Sequence, residues 1–568
     1  MFGPRLIYGR PLRHYTYTFF LPLDLPKEWR LPVQREAHRH AAKPPGETNP
    51  AGSEAAHEAQ AWWYFTPVLR DLLFDTVDTG NPPPVNVEPL REWQLNSEEL
   101  KDWQLELSNA RERDEPLRFQ IARITRLRLF RYFNNQFLLA WTVEPAVLEE
   151  LRNDDAAAPL FCEGPGWWRA LALTPEPSWK KVQSLQLNAW LRFTRLARLL
   201  YPAYPEQLAE DKIASLCLTR PPPLEDVPFP VERVDTARAI PRNAGQALSL
   251  VVQELLAAFF GSSMRHPTHQ KLENYRDLYD DRMFVNVSYG PAGQPPDIET
   301  NQRLFATALF VDCRQDTYSK FDDYPYDPAW LKPRLEEKAL SLWRGRGQLY
   351  GFTDLSNVYL GYRDFYCNTI APVHVHFIYE RMLIQALFYQ ASLRHYARRI
   401  TEATGQLTGD RSSKHQGAAQ ALREEFIRFT NQYWFHDITP QLQGREIFRR
   451  QQAALELERD YSFIKDEMER TYEFTEALFH HRLQQLGGYI AGLGVIIGVA
   501  ALWPVWLTFL KDFEGEGSIR GALQKLGWFE CLPSWVADHL FLWVAPLLLI
   551  VVAFWALRLY RRRRQKGA

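Results

Sequence analysis

LQQLGGYIAGLGVIIGVAALWPVWLTFL, residues 483–510, contains no Asp, Glu, Lys or Arg. As a helix rising about 1.5 Å per residue it would extend about 42 Å, more than the ~30 Å hydrocarbon core of a bilayer needs. A second charge-free run, Leu540–Leu557, would reach about 27 Å by the same rise. Trp503 and Trp506 stand toward the end of the first run and Trp543 and Trp555 near the ends of the second, as interfacial aromatics do. Two such runs at one end of an otherwise polar chain predict two membrane spans rather than a pair of buried core helices.

The flanks give a direction. Arg558, Arg561, Arg562, Arg563, Arg564 and Lys566 follow the second run with no acid among them. The stretch between the runs, Lys511 to His539, sets Lys511, Arg520 and Lys525 against Asp512, Glu514, Glu516, Glu530 and Asp538. Cytoplasmic flanks carry the excess of Lys and Arg, so the tail is expected inside and the acidic loop outside. With two spans both termini would be cytoplasmic, at the inner membrane of the cell. The start, Met1-Phe-Gly-Pro-Arg, leads into no long apolar run and does not read as a signal peptide.

Within the first run Gly488/Gly492 and Gly494/Gly498 are each four apart, and Gly487 adjoins them. That spacing lets helices approach closely in lipid. A glycine-lined face equally suits a pore helix whose bare backbone meets water. Pro504 is expected to kink the outer third. Gly488, Gly492, Gly494, Gly498 and Thr508 are the candidate pore-lining residues. Beyond them Asp512, Glu514 and Glu516 would form carboxylate rings in an oligomer and concentrate cations there, although a charge run in a loop is more often a solvated face.

The chain has 568 residues with 67 Lys+Arg against 68 Asp+Glu, a formal net charge of −1. That balance argues against a dedicated nucleic-acid binder, and a mean hydropathy of −0.36 excludes a polytopic membrane protein. Cys162, Cys217, Cys313, Cys367 and Cys531 include no C-x-x-C pair, so neither a disulfide framework nor a zinc site fits. No G-x-x-x-x-G-K-[ST] or H-E-x-x-H motif occurs, and no local spacing assembles a nucleophile with a base. Nothing points to an enzyme or a resident cofactor.

The N-terminal part reads as mixed strands and helices. Residues 12–25 alternate as a strand, and residues 40–60, rich in Ala, Pro, Gly and Glu, read as a mobile insertion. Pro82-Pro83-Pro84 and the stretch from Pro221 to Pro230 are breakers. Leu117–Phe133 and Gln136–Glu144 flank Asn134-Asn135, a pair able to take left-handed turn conformations, and so predict a hairpin. Residues 180–200 and 244–260 have helical spacing, while Leu304–Asp312 and Leu349–Gly361 read as strands. From Val373 the pattern changes to long helices. A polar run, Gly405–Gly417, turns the chain into a second helix, about Ala418 to Phe435. Thr439-Pro440 reads as an N-cap with proline in the first turn, and no breaker follows between Gly444 and Leu486, predicting one stalk helix that runs into the membrane. The expected organisation is an α/β cytoplasmic domain over 1–370, a helical hairpin and stalk over 371–486, a first span over 487–510, an external loop over 511–539, a second span over 540–558 and a basic tail over 559–568.

This order of parts, over residues 100–566, resembles the CorA-type divalent-cation transporter superfamily. Leu349-Tyr-Gly-Phe-Thr-Asp-Leu-Ser, Ile378-Tyr-Glu-Arg-Met-Leu and Phe429-Thr-Asn-Gln-Tyr-Trp-Phe-His-Asp carry the resemblance locally. It implies a homopentamer whose first spans line a pore, with Mg2+ as substrate or regulator and Arg561, Arg562, Arg563, Arg564 and Lys566 as a cationic collar. The family's Gly-Met-Asn motif at the outer end of the first span is absent: Trp506-Leu-Thr-Phe-Leu-Lys-Asp-Phe-Glu-Gly-Glu-Gly stands there, and no Met follows Met468. Magnesium selectivity therefore does not carry over. Some CorA-like proteins lacking the motif are associated with type III CRISPR and other antiviral systems, which makes a membrane effector triggered by a nucleotide second messenger the alternative to a channel. A non-conducting membrane-anchored interaction protein is the third.

Other candidate sites weigh toward structure. Gly345-Arg-Gly347-Gln-Leu-Tyr-Gly351 follows a helix-like stretch and precedes a strand, the wrong order for a phosphate loop, and reads as a turn. His374 and His376 lack further ligands and read as structural, as do Asp322, Asp323 and Asp327 as turn aspartates. Arg126 and Arg128 fall on one side of a strand, with Arg123 and Arg131 on the other. A solvated sheet face is the default, and a phosphorylated ligand is the functional possibility, because guanidinium pairs with phosphate through two hydrogen bonds.

Overall fold

The computed structural model describes residues 12–24, 54–74, 87–101, 103–109, 118–145, 190–200 apart from 192 and 196, 213–219, 249–261, 282–291, 305–311, 327–405 and 412–512. The second apolar run, the loop from 513, Glu514, Glu516, the basic tail, Asp322 and Asp323 lie outside these residues. Contacts divide the chain into two units, Met1–Glu473 and Phe474–Ala568.

Strand β1, Leu12–Asp24, shows how both faces of the sheet are filled. Tyr17, Phe19, Leu21 and Leu23 enter one apolar core and Phe20 the other, since successive side chains on a strand point to opposite faces. Helices α1 (Glu54–Tyr64) and α2 (Pro67–Leu73) follow. Then come β2 (Arg91–Gln94), β3 (Gln104–Asn109), β4 (Arg118–Arg131), β5 (Gln136–Pro145) and β6 (Ile213–Thr219). Helix α3 (Leu250–Phe260), β7 (Phe284–Pro291), α4 (Pro328–Lys338), β8 (Ala339–Leu340), β9 (Gln348–Phe352) and β10 (Ser356–Gly361) complete the layer. The sheet order is β6-β3-β4-β5-β1-β7-β10-β9-β8, with β2 also on β4. Only β7 with β10 runs parallel among these pairs.

One face is covered by the segment around Trp190, α3, residues 305–311 and α4. The other is covered by α1, α2 and a helical series: a π-helix (Tyr366–Tyr379), α5 (Glu380–Gly405), α6 (Ser412–Gln432), α7 (Leu442–Ala454) and α8 (Leu457–Asp512). Where β10 ends, an added Cβ on Gly361 would lie 2.2 Å from the Tyr366 ring, so only glycine lets that ring close over the sheet.

The hairpin forms where expected, with Asn135 at φ 61° in the turn between β4 and β5. Arg344–Arg346 make a short 3-10 turn ended by Gly347 at φ 76°, and Asp327 caps α4 by accepting from the Ala329 and Trp330 amides. Several expectations are overturned. Residues 305–309 are helical rather than a strand, packing Phe305 and Leu309 on the sheet. Residues 54–60, expected within a mobile insertion, belong to α1 (Glu54–Tyr64), whose Ala59 is buried. Thr439 does not cap α7, which begins after Gln441; its hydroxyl donates to the Tyr64 carbonyl and accepts from the Gln441 amide.

The expected unbroken helix from Gly444 is in fact two. α7 ends at Ala454, Leu455 has left helical geometry, and Glu456 turns the chain at φ 53° into α8. A side-chain-bearing residue in this left-handed region is strained, at roughly 1–2 kcal/mol. Glu456→Gly is therefore expected to stabilise the protein by about 1 kcal/mol, read as a higher chemical-denaturation midpoint.

Candidate functional site

Two places carry chemistry: helix α8 and a set of charges buried under α5. Leu457, Ile464 and Met468 on the first turns of α8 are buried in the helical core. Tyr461 stacks on Trp434 at 4.7 Å between ring centroids, and Arg423 lies 3.8 Å over the Tyr472 ring. The helix then continues through the charge-free run to Asp512, including an 18-residue stretch of mean hydropathy 1.8, none of it buried. It is long and apolar enough to cross a membrane.

An added Cβ at Gly487, Gly488, Gly492, Gly494 or Gly498 meets nothing within 4 Å, so these positions are open to whatever surrounds the helix. At about 100° per residue, the Gly488/Gly492 pair and the Gly494/Gly498 pair point about 120° apart. Gly487 and Thr508 fall toward the Gly494/Gly498 side. The four glycines therefore spread over an arc of about 160° of the helix surface. Thr508 donates to the Pro504 carbonyl at 2.7 Å, so its hydroxyl is partly occupied by its own helix.

The buried charges arise from a β-bulge. The register of β4 against β5 shifts between Ile124 and Arg126. Before the bulge Ala122 and Ile124 face the first core; after it Leu127 and Leu129 do. The shift turns Arg126 and Arg128 toward the helices, on the same side as Arg123, which pairs with Glu144 at 3.6 Å. Bulges commonly re-aim side chains in this way. The expectation of a solvated face is overturned, because Arg126 and Arg128 are only 7% and 1% exposed.

Glu380, the first residue of α5, bonds Arg128 Nη2, stands 3.6 Å from Arg126 Nη1 and accepts from Thr18 Oγ1 at 3.3 Å. Thr18 also meets Thr142 across the sheet at 3.0 Å. Next along α5, Arg381 Nη2 donates to Glu92 Oε2 at 2.5 Å, and Arg128 Nη1 lies 3.9 Å from Glu92 Oε1. Arg126 Nη1 meets His376 Nε2 at 2.5 Å. Aromatic rings close the surroundings: Phe377 lies near Arg126, Phe130 near Arg128, and Phe74 and Phe130 near Arg381, all within 5.3–5.6 Å. Burial opposes the Arg381 charge, but Glu92, Glu58 and Glu380 outweigh it and raise its pKa. These arginines are thus held by the chain's own carboxylates.

Sequence reading found Arg126 and Arg128 but missed Glu92, Glu380 and Arg381, whose adjacency comes from sheet and helix packing rather than spacing. His374 lies on the same π-helix, and burial lowers its pKa. At the α7–α8 elbow an open groove of about 530 Å³ is lined by His436, Asp437, Arg449, Gln452 and Glu456–Arg459. His436 faces Glu458 at 3.6 Å there, and Arg449 faces Asp437 at 3.8 Å. Among the described residues no three His, Cys, Asp or Glu side chains are grouped as metal ligands. No family model, curated protein or solved structure matches the chain.

Removing one partner of a buried pair leaves its charge uncompensated. Glu380→Ala is expected to cost about 3–5 kcal/mol, against less than about 1 kcal/mol for Arg399→Ala, whose pair with Glu425 is partly exposed. Denaturant titration of the full-length variants measures both.

Proposed function

We propose that this protein is an oligomeric membrane channel for divalent cations such as Mg2+, opened and closed through its α/β domain. One observation carries the reading: α8 is a single helix packed at its first turns among core side chains and charge-free and exposed in its later turns. A displacement at Leu457 or Ile464 would then travel along the backbone into the apolar run. The resemblance in the order of parts supports a homopentamer, a second span over 540–558, cytoplasmic termini and the collar of Arg561 to Lys566. On this reading the Gly494/Gly498 side, with Thr508, faces the pore, and Gly488 and Gly492 pack against a neighbouring helix. A nucleotide-triggered effector is less favoured, because Arg126 and Arg128 are already paired with Glu380.

Purified protein in liposomes is expected to take up Mg2+ without added nucleotide. A leak that needs a cytosolic nucleotide would move the assignment to the effector, and no conductance under either condition would overturn both. In the same assay, replacing Asp512 by Asn and Glu514 and Glu516 by Gln is expected to lower cation flux several-fold, because a carboxylate ring raises the local cation concentration. Unchanged flux would discard the ring.

A further inference from the structure

The geometry points to Trp434 as the residue that positions the first turns of α8 on the sheet domain and, through α8, sets the resting ion flux; the second part rests on the channel reading. The indole is stacked on a ring of α5 and on a ring of α8. Tyr389 lies 4.5 Å from it at an interplanar angle of 29°, and Tyr461 4.7 Å from it at 22°. The backbone is fixed at the end of α6, where the Tyr433 and Trp434 amides both donate to the Phe429 carbonyl, at 3.0 and 3.1 Å. The Phe435 amide then donates to the Tyr389 hydroxyl at 2.7 Å. Trp434 is therefore carried by α5 and α6, and its contact with Tyr461 reaches across to a different element.

Trp434 is buried, and among the described residues its Nε1–H has no acceptor. A buried indole usually finds one, and leaving it unpaired costs stability. The ring is thus placed for its faces rather than for its hydrogen bond.

The other contacts of these turns fix less. Leu457, Ile464 and Met468 are buried, but the burial of apolar surface is non-directional. His436 faces Glu458 at 3.6 Å with both side chains exposed, and such pairs hold little. Phe426 reaches the Tyr461 ring at 6.1 Å, farther away than Trp434. Arg423 meets Tyr472 only about three turns later. Stacked rings prefer particular offsets and angles, so the Trp434–Tyr461 pair gives α8 a rotation as well as a seat.

The test compares Trp434→Phe, which keeps a flat ring, with Trp434→Leu, which keeps apolar bulk and loses the ring. Nitroxide amino acids at Ile427 on α6 and Phe463 on α8, both exposed, report the seat of α8 as a pulsed electron-resonance distance. The sample is full-length protein in liposomes, with labelled chains diluted in unlabelled ones. Wild type and Trp434→Phe are expected to give the same narrow distribution, and Trp434→Leu a shifted or broadened one. Mg2+ flux in the same liposomes is expected to change several-fold in Trp434→Leu and to be retained in Trp434→Phe, in keeping with the loss of one aromatic pair. If Trp434→Leu does not fold, Tyr461→Leu against Tyr461→Phe makes the same comparison from the α8 side. A distance unmoved in the leucine variant, or moved alike by leucine and phenylalanine, would overturn the positioning role. A moved distance with unchanged flux would overturn the link to conductance. A wild type without flux would instead overturn the channel reading, and the distances would still decide the positioning role.

Discussion

The Glu380 carboxylate joins three elements that are far apart in sequence. It meets Arg128 and Arg126 from β4 and Thr18 from β1, and it stands at the first turn of α5, directly after the π-helix. Burying five charges is not a stabilising device in itself, since desolvation can exceed the Coulombic gain and an apolar set of similar volume can do as well. What such a cluster does impose is position. A helix shifted by one turn along this sheet would leave guanidiniums unpaired in a core lined by Phe74, Phe130 and Phe377. The bulge after Ile124 therefore sets more than a strand register: by turning Arg126 and Arg128 inward it fixes where α5 can lie.

From that seat a run of packed rings leads to α8. Tyr132 stacks on Phe388 at 4.1 Å, Phe133 on Tyr433 at 3.9 Å, Tyr389 on Trp434 at 4.5 Å and Trp434 on Tyr461 at 4.7 Å. The hairpin end of β4 is thus connected through α5 and the end of α6 to the second turn of α8 by close contacts. Contiguity alone transmits nothing; coupling needs an element with two arrangements. Among the described residues on this side of the sheet, the backbone leaves its ordinary forms in the π-helix and at Glu456, φ 53°.

Much of this was legible in the sequence because it is local. The charge-free run and the Asn134-Asn135 turn are each encoded within one short continuous stretch of chain. What was not legible depends on distant partners. Leu304–Asp312 has the apolar content of a strand, yet its middle packs as a helix where Phe305 and Leu309 fill the space over Gly351. The elbow at Glu456 carries no Gly or Pro to announce it. The arginines of β4 gave the right residues with the wrong environment: alternation predicts which side a residue takes, but a bulge reverses it, and their acids arrive from β2 and α5.

That environment also decides which ligands the cluster can meet. A phosphate needs guanidinium edges that are free and accessible, and here Arg128 and Arg381 are 1% and 5% exposed with carboxylates already bound. Arg126, which Glu380 holds at the longer distance of 3.6 Å, also meets the ring of His376, so the cluster ties β4 to the π-helix as well as to α5.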